Sequence, residues 1–362
     1  MSTHSRDSRS KPFTTTKRVT LADVARRAGV SQTAASFVLT GRREEMRISL
    51  DVETRVLEAA RETGYRPNIV SRSLRTGTTH TIGFISDTVA TTPFAGNLIK
   101  GALEAARDRG HLLLIAETEG DPALEQELLE AMVDRQVDGL VLAAMYTRKL
   151  AVPKALRSRA SVLLNAVPAR PAPLVSVVPD ELAAGRTAAD TLLEAGHDRG
   201  IYLIGAGPRP GQGPAGSLAA VERLQGIKAA LDDAGVRAAG AFACTDWEPE
   251  LGHAAVRKLL DSGAAVKALI CFNDRLAIGA YSALAESSVA VASDVSVISF
   301  DDDPISSWVK PELTTIAIPH YDLGRRSIEL LLDGRQDGKG GGIVERIPMP
   351  LRLRQSVGPP AA

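Results

Sequence analysis

The side chains here that could do chemistry are polar groups spaced for recognition rather than for making or breaking bonds. The six histidines lack metal-ligand spacing, and Cys244 and Cys271 form no C-x-x-C pair and imply no disulfide framework. No G-x-S-x-G and no Gly-Lys-Ser/Thr phosphate loop occurs. Gly211-Gln-Gly213-Pro-Ala-Gly216 is formally a G-x-G-x-x-G between a strand and a helix, as a nucleotide-dependent enzyme would carry. Its strand ends near Ala206, so the glycines miss the tight first turn. Pro208, Pro210 and Pro214 remove N–H donors that a phosphate would need, and a mobile loop is expected there. The informative groups follow predicted strands instead. Asn165 ends Val162-Leu-Leu-Asn, Asn273-Asp274 follow Ala268-Leu-Ile-Cys-Phe, and Asp301-Asp302 follow Val297-Ile-Ser-Phe. Arg223, Trp247 and Phe94 complete the set. Asx and Arg groups with aromatic rings suit a sugar, the polar groups taking hydroxyls and the rings its C–H faces. Three have a named plainer reading: Asp274 as a helix cap, Trp247 as rim packing and Arg223 as a solvated helix residue.

These groups need a scaffold that gathers strand ends. Short β-rich runs alternate with helical patterns: Thr81–Ser86, a helix near 95–109, Leu112–Glu117, a helix near 122–135, then strands at 139–144 and 162–165. The pattern repeats with a strand at 201–206, a helix near 218–234, Ala268–Cys271, a helix near 275–286 and a strand at 295–300. Such alternation builds parallel sheets covered by helices, and ligands bind outside the carboxyl ends of the strands. About 280 residues is long for one such unit, so two lobes are expected.

A different pattern precedes this body. Thr20 with Asp23 makes an acidic variant of the capping box, and Leu21, Val24, Ala25 and Ala28 form one apolar stripe. Gly29 stops that helix and Ser31 caps the next, in which Ala34, Ala35 and Val38 face inward while Gln32, Thr33, Ser36 and Phe37 face out. Ser49 caps a third helix, carrying Val52, Val56, Ala59 and Ala60 inward to a stop at Gly64. A helix–turn–helix sets the exposed start of its second helix on base edges and its helix N-termini on phosphates. Charge agrees. The chain has 43 basic and 43 acidic residues, yet residues 1–78 hold 15 against 8 and the remainder 28 against 35. A neutral total conceals a basic head on an acidic body. Residues 66–77, Arg-Pro-Asn-Ile-Val-Ser-Arg-Ser-Leu-Arg-Thr-Gly, allow about two helical turns, too short to hold alone in water. Leu74 among arginines is the composition of a minor-groove wedge; the plain alternative is an exposed linker.

Residues 19–77 resemble the DNA-binding head and hinge of the LacI/GalR (lactose-repressor) family of bacterial transcription regulators. V-T-L-x-D-V-A-x-x-A-G-V-S stands at 19–31, G-Y-R-P-N at 64–68 and R-S-L-R at 72–75. The resemblance implies base readers at Gln32 and Thr33, a phosphate contact at Ser36, and a hinge wedge at Leu74 paired with that of a second subunit. Thr20, Ser31, Phe37, Asn68, Arg72 and Arg75 join them as expected DNA-binding residues. Phe37 and Ala34 depart from the family pattern; Phe37 cannot donate to guanine but could pack on a thymine methyl. In the body Arg223 matches the pocket arginine of R-x-x-G, Asn273-Asp274 an N-D pair, Trp247 a sugar-stacking tryptophan and residues 311–315 the P-x-L-T-T crossover strand. Asn165 stands where sugar binders often have Asp, while Ile318 and Pro319 replace pocket polar groups. The expected effector-binding residues are therefore Phe94, Asn165, Arg223, Trp247, Asn273, Asp274 and Asp301.

The expectation is an α/β protein: an all-α helix–turn–helix head plus a periplasmic-binding-protein-like body of two parallel-sheet α/β subdomains. Residues 1–18 form a disordered basic arm, 19–66 the head, 67–78 the hinge and 79–355 the effector-binding and dimerisation body. That body divides into 79–179 with 317–336, and 180–316 with 337–355. The implied function is a cytoplasmic transcription regulator, a repressor associated with the nucleoid when bound. It reads double-stranded DNA at a palindromic operator as a homodimer under a small-molecule effector, a carbohydrate, with no membrane, metal or cofactor and no enzyme activity. A nucleoside or other metabolite acting as corepressor is the alternative; a sugar-binding receptor and a nucleotide-dependent enzyme are more distant ones. The tail from Leu351 lacks an apolar heptad run, so a dimer rather than a tetramer is expected.

Overall fold

Thr20 begins the first helix, α1 (Leu21–Ala28): its hydroxyl accepts from the Asp23 N–H while the Asp23 carboxylate accepts from the Thr20 N–H. Gly29, at φ 67, ends it in the left-handed region that glycine adopts without strain. The Ser31 hydroxyl accepts from the Ala34 N–H and starts α2 (Gln32–Leu39), and Ser49 caps α3 (Leu50–Thr63) in the same way. The three helices meet on Val24, Ala25, Ala28, Ala35, Val38, Val56 and Ala59. Four of these seven are alanines, so the helices approach closely around little apolar area, and Arg55 adds a bond to the Ala28 carbonyl at 3.0 Å. This computed structural model describes residues 19–66, 77–89, 91–92, 96–334 and 342–360, and the chain divides into two compact units between Thr79 and His80.

The second unit holds two sheets of six strands. The first contains β1 (Thr81–Ser86), β2 (Leu112–Glu117), β3 (Gly139–Leu150), β4 (Ala160–Pro168), β5 (Val175–Pro179) and β11 (Val344–Ile347), in the order β2-β1-β3-β4-β5-β11 and parallel throughout. The second contains β6 (Ile201–Gly205), β7 (Gly240–Ala243), β8 (Ala268–Cys271), β9 (Ser296–Asp301), β10 (Thr314–Ala317) and β12 (Leu351–Arg352). Its order is β7-β6-β8-β9-β10-β12, parallel except for β12. The helices are α4 (Gly96–Asp108), α5 (Pro122–Asp134), α6 (Glu181–Glu194), α7 (Leu218–Asp233), α8 (Pro249–Asp261), α9 (Asp274–Glu286), the short α10 (Ile305–Trp308) and α11 (His320–Leu332). Apolar runs such as 82–85 and 268–272 are buried, as strands covered by helices require.

Paired glycines let helices touch backbone to backbone. A Cβ on Gly226 in α7 would lie 2.0 Å from the Leu182 carbonyl oxygen of α6, and one on Gly101 in α4 2.0 Å from that of Tyr321 in α11. The glycine of R-x-x-G is thus a packing requirement. The lobes are tied across α7 by Arg346 of β11, which holds the Glu222 carboxylate with two bonds of 2.8 Å.

Three features differ from the sequence reading. Residues 344–347, assigned there to the second lobe, pair with β5 in the first sheet, so the third crossover comes after Ile347. A four-residue edge strand with two charged residues carries too little periodic signal to reveal this. β5 and β7 were not expected. β3 runs on past Ala144 to Leu150, and Asn165 lies inside β4 rather than at its end.

Candidate functional site

The carboxyl ends of both sheets open onto a cleft of about 680 Å³ between the lobes of the body. Of the sequence candidates, Asn165, Arg223, Trp247, Asn273 and Asp301 line it together. Ile318 and Pro319 line it as well.

Arg223 is the organising group, 1% exposed. Its Nε and Nη2 donate to the two oxygens of Glu181 at 2.6 and 3.1 Å, Nη1 donates to the Phe272 carbonyl, and Nη2 also reaches Asp301 Oδ1 at 3.3 Å. The guanidinium lies 4.5 Å from the centre of the Phe300 ring and 5.4 Å from that of Trp247. A buried cation in this position is tolerable only because it is paired, bonded and stacked at once. Asp301 and Asp302 both have positive φ, 113 and 59, a strained turn of the kind that collects at functional sites. Burial pushes the Asp301 carboxyl up to about 8, although the neighbouring Arg223 pulls the other way. Asp302 is held by Arg352 at 3.3 Å and by Arg354.

Asn273 serves geometry as well as the cleft. Its Oδ1 accepts from the Leu276 N–H to cap α9, and its Nδ2 donates to the Trp247 carbonyl at 3.1 Å. Trp247 then donates its indole N–H to the Gly205 carbonyl at 3.1 Å, which fixes the ring plane. Asp274 is a correction. It does not line the cleft; it is fully buried behind it, accepting from Thr315 Oγ1 at 2.7 Å, from the Asp303 N–H at 2.7 Å, and from Ser299 Oγ. The cap turns residue 273 toward the cleft and residue 274 under the sheet. Burial pushes the Asp274 carboxyl up to about 7, against the pull of those three donors. Phe94 lies outside the described residues.

Sequence reasoning missed Glu181, Tyr146 and Thr147, all of which line the cleft. Glu181 follows β5, a run flanked by prolines, and without that strand no rule points to its end. Thr147 lies in a bulge of β3, invisible to a period-two pattern.

In the head, Thr20 is exposed at the start of α1, Ser31, Gln32 and Thr33 are exposed at the start of α2, and Ser36 and Phe37 are half-buried. The Arg42 guanidinium covers the Phe37 ring at 5.2 Å and is itself held by Glu45, with Nε–Oε1 at 2.6 Å. Asn68, Arg72, Leu74 and Arg75 lie outside the described residues. No helix among the described residues is long and apolar enough to cross a membrane.

Residues 20–68 match the family model of the bacterial regulatory proteins, lacI family, and residues 82–340 match that of the periplasmic binding protein domain. The ribose operon repressor of Escherichia coli (strain K12) is 31% identical, covering 86% of this chain and 92% of its own. The HTH-type transcriptional repressor PurR of Histophilus somni (strain 2336) is 32% identical, covering 93% and 98%. Among solved structures, the lac repressor dimer bound to operator and the anti-inducer ONPF has a TM-score of 0.76 at 25% identity, covering 94% of this chain and all of that one. A LacI family regulator from Enterococcus faecium with bound ribose has a TM-score of 0.60 at 26% identity, covering 77% and 99%. The chain belongs to the LacI family of bacterial regulatory proteins, and it is a DNA-binding transcription regulator.

Proposed function

We propose that the chain is a homodimeric repressor whose affinity for a palindromic operator in double-stranded DNA is set by a carbohydrate bound in the cleft. The observation that carries this is the Arg223–Glu181–Asp301 cluster beside Trp247 in that cleft: fixed polar groups against an aromatic wall are what hydroxyls and C–H faces bind. Asn165 faces this cluster from the other lobe, and Asn273 holds Trp247 in place.

The head supplies the DNA surface. The Thr20 and Ser31 caps set two helix N-termini on phosphates, Gln32 and Thr33 read base edges, and Ser36 contacts a phosphate. Phe37, backed by Arg42, meets a thymine methyl rather than guanine. Residues 67–78, with Asn68, Arg72 and Arg75 on the backbone and Leu74 as wedge, fold when both heads engage. The protein acts in the cytoplasm with no catalytic step, membrane or cofactor. Effector binding biases the arrangement of the lobes and so the DNA-bound population.

A gel shift with the palindromic DNA of its own promoter region tests this. The account expects a specific complex that weakens steeply with salt, weakens again in Leu74→Ala, and responds to a sugar in the wild type but not in Arg223→Ala. No specific complex, or a response to nucleosides alone, would overturn it.

A further inference from the structure

We infer that Thr147 is a specificity-determining residue: with Asn165 it forms an uncharged, hydroxyl-reading wall, so the effector is a neutral polyol and not a sugar phosphate or sugar acid. This rests on the reading of the cleft as the effector site.

The wall is made by a break in register. β3 and β4 pair in step from Gly139↔Ala160 to Ala143↔Leu164, and pairing resumes at Arg148↔Ala166. Four residues, 144–147, therefore stand opposite the single residue Asn165, whose φ is 53. Asparagine is among the few side chains that tolerate this left-handed conformation. The displaced backbone brings Met145, Tyr146 and Thr147 to the cleft beside Asn165. Thr147 is 2% and Asn165 4% exposed, and Thr147 Oγ1 and Asn165 Oδ1 have no hydrogen-bond partner among the described residues. Buried polar atoms at the wall of a cleft gain most from a ligand that bonds them. A ligand hydroxyl can donate to the Asn165 carbonyl oxygen and either donate to or accept from the Thr147 hydroxyl. Neither group offers a charge.

The rest of the cleft turns anions away. Arg223 already spends its N–H groups on Glu181, Phe272 and Asp301. Arg148, next to Thr147, does not line the cleft; it pairs with Asp87 at 3.1 Å and lies 5.6 Å from the Tyr146 ring. Among the described residues the lining carries seven carboxyl groups against three guanidiniums. A phosphate or carboxylate would give up its hydration beside a surplus of acidic groups, whereas a neutral hydroxyl can bond to their oxygens without adding charge.

Titration calorimetry on the full chain, with millimolar matched pairs, tests this: ribose with ribose 5-phosphate, glucose with glucose 6-phosphate, galactose with galacturonate. A neutral member should bind, with its anionic counterpart at least about tenfold weaker. Thr147→Val, which keeps the shape and loses the hydroxyl, should weaken the sugar about tenfold or more, as should Asn165→Ala, while Thr147→Ser retains binding. Unfolding midpoints without sugar show that each variant is folded. Equal or tighter binding of an anionic member, wild-type affinity in Thr147→Val, or no binding of any neutral member would overturn the inference. Trp247→Ala separates the two readings. A sugar that binds it as well as the wild type lies outside the cleft and removes the effector-site reading. A sugar weakened by Trp247→Ala but indifferent to Thr147→Val removes only this inference.

Discussion

The first lobe runs β2-β1-β3-β4-β5-β11 and the second β7-β6-β8-β9-β10-β12, the same path laid down twice, yet the two present different surfaces to the cleft. From the first lobe the strands offer Thr147 and Asn165, neutral, with Thr147 Oγ1 and Asn165 Oδ1 unpartnered among the described residues. From the second come Arg223, Glu181 and Asp301, ionisable and already bonded to one another. Their shared topology therefore fixes where side chains converge and leaves open what they do there. In the second lobe preorganisation comes from an ion cluster; in the first it comes from backbone geometry, a bulge and one left-handed asparagine.

The largest expected effect breaks the ion cluster. Arg223→Ala leaves Glu181, 2% exposed, as an unpaired buried charge, and should cost about 3–5 kcal/mol in urea unfolding of the body. A loss no greater than that of a surface arginine would mean the cluster does not organise its lobe. Next come the matched glycines. Gly226→Ala in the second lobe and Gly101→Ala in the first should each cost about 1–3 kcal/mol, since both place a Cβ 2.0 Å from a carbonyl oxygen. Unequal costs would show that the repeated path does not carry equal packing.

A third, smaller effect lies behind the second lobe's wall. The Asp274 carboxyl titrates near 7 in the fold, above its ordinary value, so its protonated form is the stable one there. Its contribution is fully present below the unfolded value and is lost as pH rises through about 7. Wild-type unfolding midpoints should fall across that range, and those of Asp274→Asn should fall less, though from a lower start, because an amide N–H would face the Asp303 N–H. A parallel fall in both proteins would clear Asp274. Smallest is Arg346→Ala, which removes the half-exposed tie from β11 to Glu222 and should cost about 0.5–1 kcal/mol. Its more telling readout is a changed operator response to sugar, since the tie joins the lobes.

What could be read in advance follows the same division. The head's caps, Thr20, Ser31 and Ser49, are local signals and carry its helix starts in three or four residues. In the body, long apolar strands such as Thr81–Ser86 were legible to the residue. β5, β7 and β11 were not: each is four or five residues long, β5 ends on a proline and β11 carries two charged residues. Asn273 and Asp301 could be placed near the cleft because strand ends converge there, whereas Asn165 reaches it from the register break inside β4. Thr147 could not, because the register shift that delivers it depends on pairing with β4. Asp274 misled for a related reason: adjacent residues at a helix start point in opposite directions, and only the cap shows which one meets the cleft.

The most direct test of the whole account is operator affinity measured by fluorescence anisotropy on the full chain, with and without a saturating neutral sugar that calorimetry places in the cleft. The account predicts a change of about fivefold or more, a coupling of about 1 kcal/mol or above, abolished in Arg223→Ala. Unchanged affinity with the cleft saturated would contradict it.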